Sequence, residues 1–187
     1  MDLQGKTIIV GVTGSIAAYW ATELIGILKN MNADVRVVMT KNAEEFITPL
    51  TLQTVAGNNV LTDLFSTDNC EVSHIAYARR ADVIIIAPAT ANIIGKIAHG
   101  IADDALSTIV MATKSPVIIC PAMNNAMWTN FIVQENVEKL KKHGYIFVDP
   151  EYGKMVCREI GIGRLAQIES IIKKLCEITD QDVKVRV

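Results

Sequence analysis

The sequence predicts an α/β fold: a three-layer, doubly wound (Rossmann- or flavodoxin-like) parallel sheet flanked by helices. Three observations carry this. Half of the 187 residues are hydrophobic but only 5% are aromatic, and a core of Ile, Val and Ala suits parallel strands buried on both faces. Short apolar runs at 6–13, 33–40, 82–87 and 116–120 alternate with stretches of helical period. Several of these runs lead through a turn into a helix start, the alternation that builds crossover units around one sheet.

Composition narrows the function classes. The chain has no Pro/Gly/Ser-rich linker and no low-complexity run, so residues 1–187 are expected to form one domain. Net charge is −2, and the basic pairs Arg79-Arg80 and Lys141-Lys142 are short, which gives no nucleic-acid footprint. No apolar run approaches a membrane span and the first residues lack a signal pattern, so a cytoplasmic protein is expected. Cys70, Cys120, Cys157 and Cys176 show no CxxC spacing and the three histidines lie far apart. Neither a metal site nor a disulfide framework is expected.

In chain order, the first strand at 6–13 runs into Gly14-Ser15, with Ser15 as N-cap of a helix to about residue 31. A glycine turn at a helix N-terminus presents unpaired N–H groups and the positive end of the dipole, an anion site. Gly11-x-x-Gly14 is neither a dinucleotide fingerprint nor a Walker loop. The second strand ends at Thr40 with no Asp or Glu to hold a ribose, which counts against NAD. A surface helix is expected at 43–47, a helix from Pro49 stopped at Gly57, and a strand at 60–65. The turn at 67–69 leads to a helix at 72–80 carrying His74, whose imidazole ordinarily titrates near pH 6.5. The strand at 82–87 is ended by Pro88, and a helix follows Thr90. Asp103 and Asp104 read as N-terminal capping of the helix at 105–112 rather than as an acid/base pair. An amphipathic helix at 130–142, a strand at 145–148, an irregular glycine-rich flap at about 151–165, a helix at 169–179 and a charged tail at 180–187 complete the chain.

The most informative stretch is Pro121-Ala122-Met123-Asn124-Asn125-Ala126-Met127-Trp128. It leaves a buried strand at the C-terminal edge of the sheet, where open α/β sheets bind ligands. The Asn124 amide can donate to a carboxylate without adding charge, and Met and Trp side chains can cover a flat apolar face.

This stretch resembles the PxMNxxMW motif of the flavin-dependent cysteine decarboxylases, and the resemblance runs from Gly11 to about Arg164. It implies FMN at Gly14, Ser15, Ile16, Thr40, Phe46, Thr90, Ala91, Asn92, Ile93 and Ala122. Thr90 and Ile93 depart from the family's Ser and Thr, and Ile93 removes a hydroxyl. His74 falls on the family's HI-x-x-x-R-x-AD pattern, where the His is catalytic, and Cys157 on the catalytic Cys of its flap. Val156 and Arg158 differ from the family's Ala and Gly beside that Cys.

The implied reaction is FMN-dependent decarboxylation of 4′-phosphopantothenoyl-L-cysteine to 4′-phosphopantetheine in coenzyme A biosynthesis, through a thioaldehyde and an enethiolate. His74 would serve thiol oxidation, Asn124 would hold the departing carboxylate and Cys157 would return a proton. Asn124, Met127, Arg79 and Arg80 would contact substrate. The family further implies a homotrimer or homododecamer with FMN at subunit contacts, and a separate phosphopantothenate–cysteine ligase as working partner. Two alternatives keep the flavin site: a peptidyl-cysteine decarboxylase and a non-catalytic FMN-binding regulatory subunit. A flavin prenyltransferase would lack both the PxMNxxMW loop and the Cys flap.

Overall fold

A computed structural model describes residues 2–65, 73–156 and 158–185. Six parallel strands, β1 (Thr7–Val12), β2 (Asp34–Met39), β3 (Val60–Leu61), β4 (Val83–Ala89), β5 (Val117–Pro121) and β6 (Ile146–Phe147), lie in the order β3-β2-β1-β4-β5-β6. The chain winds outward from β1 to β3, crosses back, and winds the other way from β4 to β6. The doubly wound expectation therefore holds, with the reversal between β1 and β4.

Both sheet faces are covered, which is why the central strands are near-continuous apolar runs. On one face Ile8, Val10, Val37, Ile85 and Ile118 pack against Leu24, Ile25 and Leu28 of α1 (Trp20–Asn30), Leu52 of α2 (Pro49–Ala56) and Ile171 and Leu175 of α8 (Ile168–Val185). On the other, Ile9, Val38, Ile84, Ile86 and Ile119 meet α3 (Ser73–Arg80), α4 (Ala91–His99), α5 (Ala105–Ala112) and α7 (Phe131–Lys142) through Ala78, Ile94, Leu106, Ile109 and Leu140. Ala18 and Ala21, beside Trp20, are buried in the first core.

Several boundaries differ from the sequence expectation, each for a local reason. The strand from Val83 passes Pro88 and ends at Ala89, with a register shift between Ile86 and Ala89 that accommodates a residue lacking an N–H. The edge strand β3 has two residues rather than six, because the Asp63 carboxylate accepts from the Phe65 amide and turns the chain away. Residues 43–47 form no helix: a 3-10 turn at Lys41–Ala43 is followed by the short Phe46 N–H to Ala43 bond. The charged tail expected from 180 continues α8 to Val185, since neither Gly nor Pro interrupts it. The turn expected at 67–69 lies outside the described residues.

The two central strands are joined at their C-terminal ends by one hydroxyl. Thr13, 1% exposed, donates to the Pro88 carbonyl at 2.7 Å and accepts from the Thr90 N–H at 3.1 Å. Thr13→Val keeps the shape but strands both groups, so unfolding free energy should drop by about 1–3 kcal/mol. Thr13→Ser should retain most of it. Urea denaturation of the three proteins checks this, and equal midpoints for Val and Thr would contradict it.

Candidate active site

The C-terminal sheet edge at the β1/β4 reversal gathers four loops. Gly14 opens the first, and its backbone lies so close to Asn42 that an added Cβ would sit 2.6 Å from Asn42 Cβ and 2.9 Å from its carbonyl oxygen. The loop after β2 is thereby pressed onto the loop after β1, and the Thr40 N–H donates to the Val12 carbonyl at 3.0 Å. The Thr13 bonds bring in the loop after β4, and the Ala122 N–H to Ala89 carbonyl bond, 3.0 Å, adds the loop after β5. Two chain starts open here: a 3-10 turn at Ile16–Tyr19 capped by Ser15, and α4 capped by Thr90. Gly14, Ser15, Ile16, Thr40, Thr90, Ala91, Asn92, Ala122 and Asn124 are thus assembled on one edge from segments far apart in sequence. Ile93 follows on the same edge, with its side chain in the core and its N–H donating to the Thr90 hydroxyl.

The sequence reading of 151–165 as an irregular flap is also corrected. Residues Glu151–Lys154 (β7) and Ile160–Arg164 (β8) pair as an antiparallel hairpin. Its period is hidden because Gly161 and Gly163 occupy the inward face while Ile160, Ile162 and Arg164 point out. The glycines are there for contact. The Met123 N–H donates to the Gly163 carbonyl at 2.9 Å, the Ile162 N–H to Asn125 Oδ1 at 3.0 Å, and a Cβ on Gly163 would collide with the Met123 carbonyl. At the hairpin's base Glu151 accepts from the Gln167 N–H and Nε2, which ties it to the start of α8.

Between the hairpin, the loop after β5 and the Ser15 turn lies a cavity of about 670 Å³. Of the residues expected at a site, Ser15, Ile16, Ala122 and Asn124 line it. Met123, read from the sequence as able to cover a flat face, lines it too, whereas sequence reasoning missed Tyr19, Lys154, Met155, Arg164 and Gln167 as cavity residues. The signal that could have found Lys154 and Arg164 is their place at matching ends of the glycine-rich segment. Tyr19 and Trp20 form a tilted aromatic pair with centroids 5.2 Å apart. Trp128, in contrast, is buried in the core at the end of the short α6 (Asn125–Trp128), and Met127 is on the surface outside the cavity.

Asn124 has a fixed orientation. Its Oδ1 caps α6 by accepting from the Ala126 N–H at 2.8 Å, so the NH2 is the donor side, and it faces the hairpin, where it donates to Glu159 Oε2 at 2.8 Å. It can recruit only an acceptor.

Other expected residues stand apart. His74 begins α3 in the opposite helix layer, half-buried; its Nδ1 is buried and has no hydrogen-bond partner among the described residues. Arg79 and Arg80 end α3 just before β4, at the N-terminal sheet edge, and the seven residues of β4 put them about 20 Å from the cavity edge. Within one chain they do not line the cavity. Phe46 is exposed on the turn after Thr40 and does not line the cavity. Cys157 lies outside the described residues. Burial pushes the Cys120 thiol far above its ordinary range, which leaves it neutral and unreactive. Asp104 caps α5 with Ser107, and with Asp103 it binds Lys96 of α4, at 2.8 and 2.6 Å. Burial alone would lower the Lys96 ammonium, but these two carboxylates hold it above its ordinary value. The acidic pair is structural, as the capping pattern predicts.

Flat aromatic and thioether walls, two cations, capped turn N–H groups and a donor amide suit a planar, anionic cofactor beside a carboxylate ligand. The described residues include no group of three or more His, Cys, Asp or Glu able to hold a metal ion, and no helix long and apolar enough to cross a membrane.

Comparison with known proteins agrees with this chemistry. The family described as "Flavoprotein" matches residues 1–180. The chain is 44% identical over 170 residues to the coenzyme A biosynthesis bifunctional protein CoaBC of Borreliella burgdorferi, covering 91% of this chain and 44% of that protein. For the protein of the same name from Escherichia coli K12 the values are 43% over 173 residues, 92% and 43%. The chain spans less than half the length of these relatives. Among solved structures, a PPC decarboxylase mutant complexed with pantothenoylaminoethenethiol superposes with a TM-score of 0.85 at 28% identity, covering 94% of this chain and 98% of that one. The FMN-dependent cysteine decarboxylase SpaF superposes with a TM-score of 0.81 at 35% identity, covering 92% and 95%.

Gly163→Ala should separate the hairpin from the loop it rests on, with an overpacking penalty of about 1–3 kcal/mol. Hydrogen exchange should show the Met123 amide losing protection while the Ile85 amide in the central sheet keeps it. Unchanged protection at Met123 would contradict the docking argument.

Proposed function

This chain belongs to the Flavoprotein family, and from that premise we propose that it is an FMN-dependent decarboxylase of 4′-phosphopantothenoyl-L-cysteine, forming 4′-phosphopantetheine and CO2 for coenzyme A synthesis. The observation that carries the reading is the Asn124 amide, oriented to donate to a carboxylate, in a cavity that also holds Lys154 and Arg164. A carboxylate donor-site and a cationic wall match a substrate with a carboxylate at one end and a phosphate at the other. The identity to CoaBC proteins over nine-tenths of the chain supports the pantothenoyl substrate. A solved peptidyl-cysteine decarboxylase is 25% identical, which makes the peptide substrate the second reading.

Loss of CO2 from an ordinary cysteine leaves a carbanion with nothing to stabilise it. Bound FMN would supply reversible oxidation of the substrate thiol, so that the electrons released with CO2 have an acceptor and are later returned. The Gly14–Ser15 turn and the Ala91–Asn92 turn would hold the cofactor through backbone N–H groups, and Thr40 and Thr90 through their hydroxyls. Asn124 would orient the carboxylate. A neutral amide suits this task, because a cation would stabilise the ground-state carboxylate more than the departing, charge-losing group. His74 would take the thiol proton and Cys157 would give one back at the end.

Within one chain His74 is in the layer opposite the cavity. We therefore place it in the site of a neighbouring copy, within a homotrimer or homododecamer. A phosphopantothenate–cysteine ligase, on a separate chain or the same one, would make the substrate.

The test is purification, a flavin spectrum, and incubation with 4′-phosphopantothenoylcysteine while CO2 and 4′-phosphopantetheine are measured. Yellow protein with turnover is expected. Yellow protein that instead decarboxylates a peptide with C-terminal cysteine would shift the substrate, and a protein that takes up no FMN would sink the reading. Ala at His74, Asn124 or Cys157 should each lower kcat/KM by about 10²-fold or more with flavin retained.

A further inference from the structure

The Asn124 amide is already engaged by a carboxylate of the protein: its Nδ2 donates to Glu159 Oε2 at 2.8 Å. We propose that Glu159 is an internal surrogate for the substrate's carboxylate, a specificity-determining residue that the substrate must displace and that returns to Asn124 once CO2 has left. The inference rests on the reading that Asn124 receives that carboxylate.

Three features point this way. The amide cannot flip to offer its oxygen, because Oδ1 is held by the Ala126 N–H at 2.8 Å, so Glu159 and a ligand carboxylate seek the same donor group. Glu159 is mounted for this position. It directly precedes β8, which is pinned to the Met123–Asn125 loop by the Gly163 and Ile162 bonds, and its own carbonyl accepts from the Met155 N–H at 2.8 Å. Its backbone is therefore placed by the docked hairpin while its side chain is exposed, so displacement moves the side chain and not the hairpin. Finally, the NH2 has two hydrogens, but two carboxylates set against one amide repel each other, and it is this repulsion that makes substrate and Glu159 compete there. A hydrogen bond at an exposed site has a modest net strength, which a bound substrate can overcome.

The consequence is a bias between ligands. A ligand that keeps its carboxylate must evict Glu159; the decarboxylated product need not. Glu159 therefore weakens binding of the carboxylate form selectively and leaves the product's affinity alone.

The test uses the FMN-loaded full chain and two probes that do not turn over. One is 4′-phosphopantothenoylalanine, which has the carboxylate and no thiol; the other is 4′-phosphopantetheine. Calorimetric titration should show Glu159→Ala binding the alanine analogue about three- to tenfold more tightly, with 4′-phosphopantetheine changed by less than about twofold. Glu159→Gln, which keeps an acceptor but removes the charge, should fall between, and with the cysteine substrate KM should drop without a matching rise in kcat. Weaker binding of the analogue would mean that Glu159 positions Asn124 instead, and equal gains for both probes would mean a general charge effect. Either overturns the inference. Asn124→Ala separates this from the underlying reading. It should weaken the alanine analogue and erase any gain from Glu159→Ala; if it leaves the analogue's affinity unchanged, the Asn124 assignment itself fails.

Discussion

The Thr13 hydroxyl is bonded on both sides, to the Pro88 carbonyl and the Thr90 N–H, at the point where the sheet reverses its winding. A doubly wound sheet necessarily leaves a gap there, because the chain leaves β1 toward one helix layer and β4 toward the other. Buried polar groups in that gap would otherwise go unpaired, and a single side chain satisfies two of them. The same bonds set the spacing between the Ser15 turn and the start of α4. Much of the candidate cofactor edge thus depends on a residue that is itself buried.

From that seam the site is built outward by close backbone approaches. Gly14 admits Asn42, Ala122 bonds back to Ala89, and Gly163 admits the Met123 carbonyl. Each contact leaves no room for a Cβ or uses a main-chain bond, so the loops are held by geometry rather than by side-chain packing. This is why Asn124 can sit on a loop and still have a defined amide orientation. Its oxygen is committed to the α6 cap, and its NH2 faces the hairpin.

Polarity is distributed to match. The Tyr19–Trp20 pair and Met123 supply flat or soft surface, whereas Lys154 and Arg164 come from the hairpin. The ion pairs of Lys96 with Asp103 and Asp104 lie between α4 and α5, where they brace helices instead of doing chemistry. His74, Arg79 and Arg80 do not line the cavity.

The amino-acid order by itself determined the local elements and the fold class. Buried runs such as residues 82–87, the caps at Ser15, Thr90 and Asp104, and the helix stop at Gly57 follow from apolar pattern and backbone chemistry within a few residues. The family motifs likewise named Asn124 and the Ser15 turn, both of which line the cavity. Only the tertiary structure decided which of the named residues meet. Arg79 and Arg80 sit beside His74 in sequence but at the other end of α3, and Trp128 turned into the core. The hairpin at Glu151–Arg164 was illegible because its inward face is glycine, which carries no hydropathy signal. Its pairing is dictated by the Met123–Asn125 loop it packs on, a contact between segments some forty residues apart that no local pattern records.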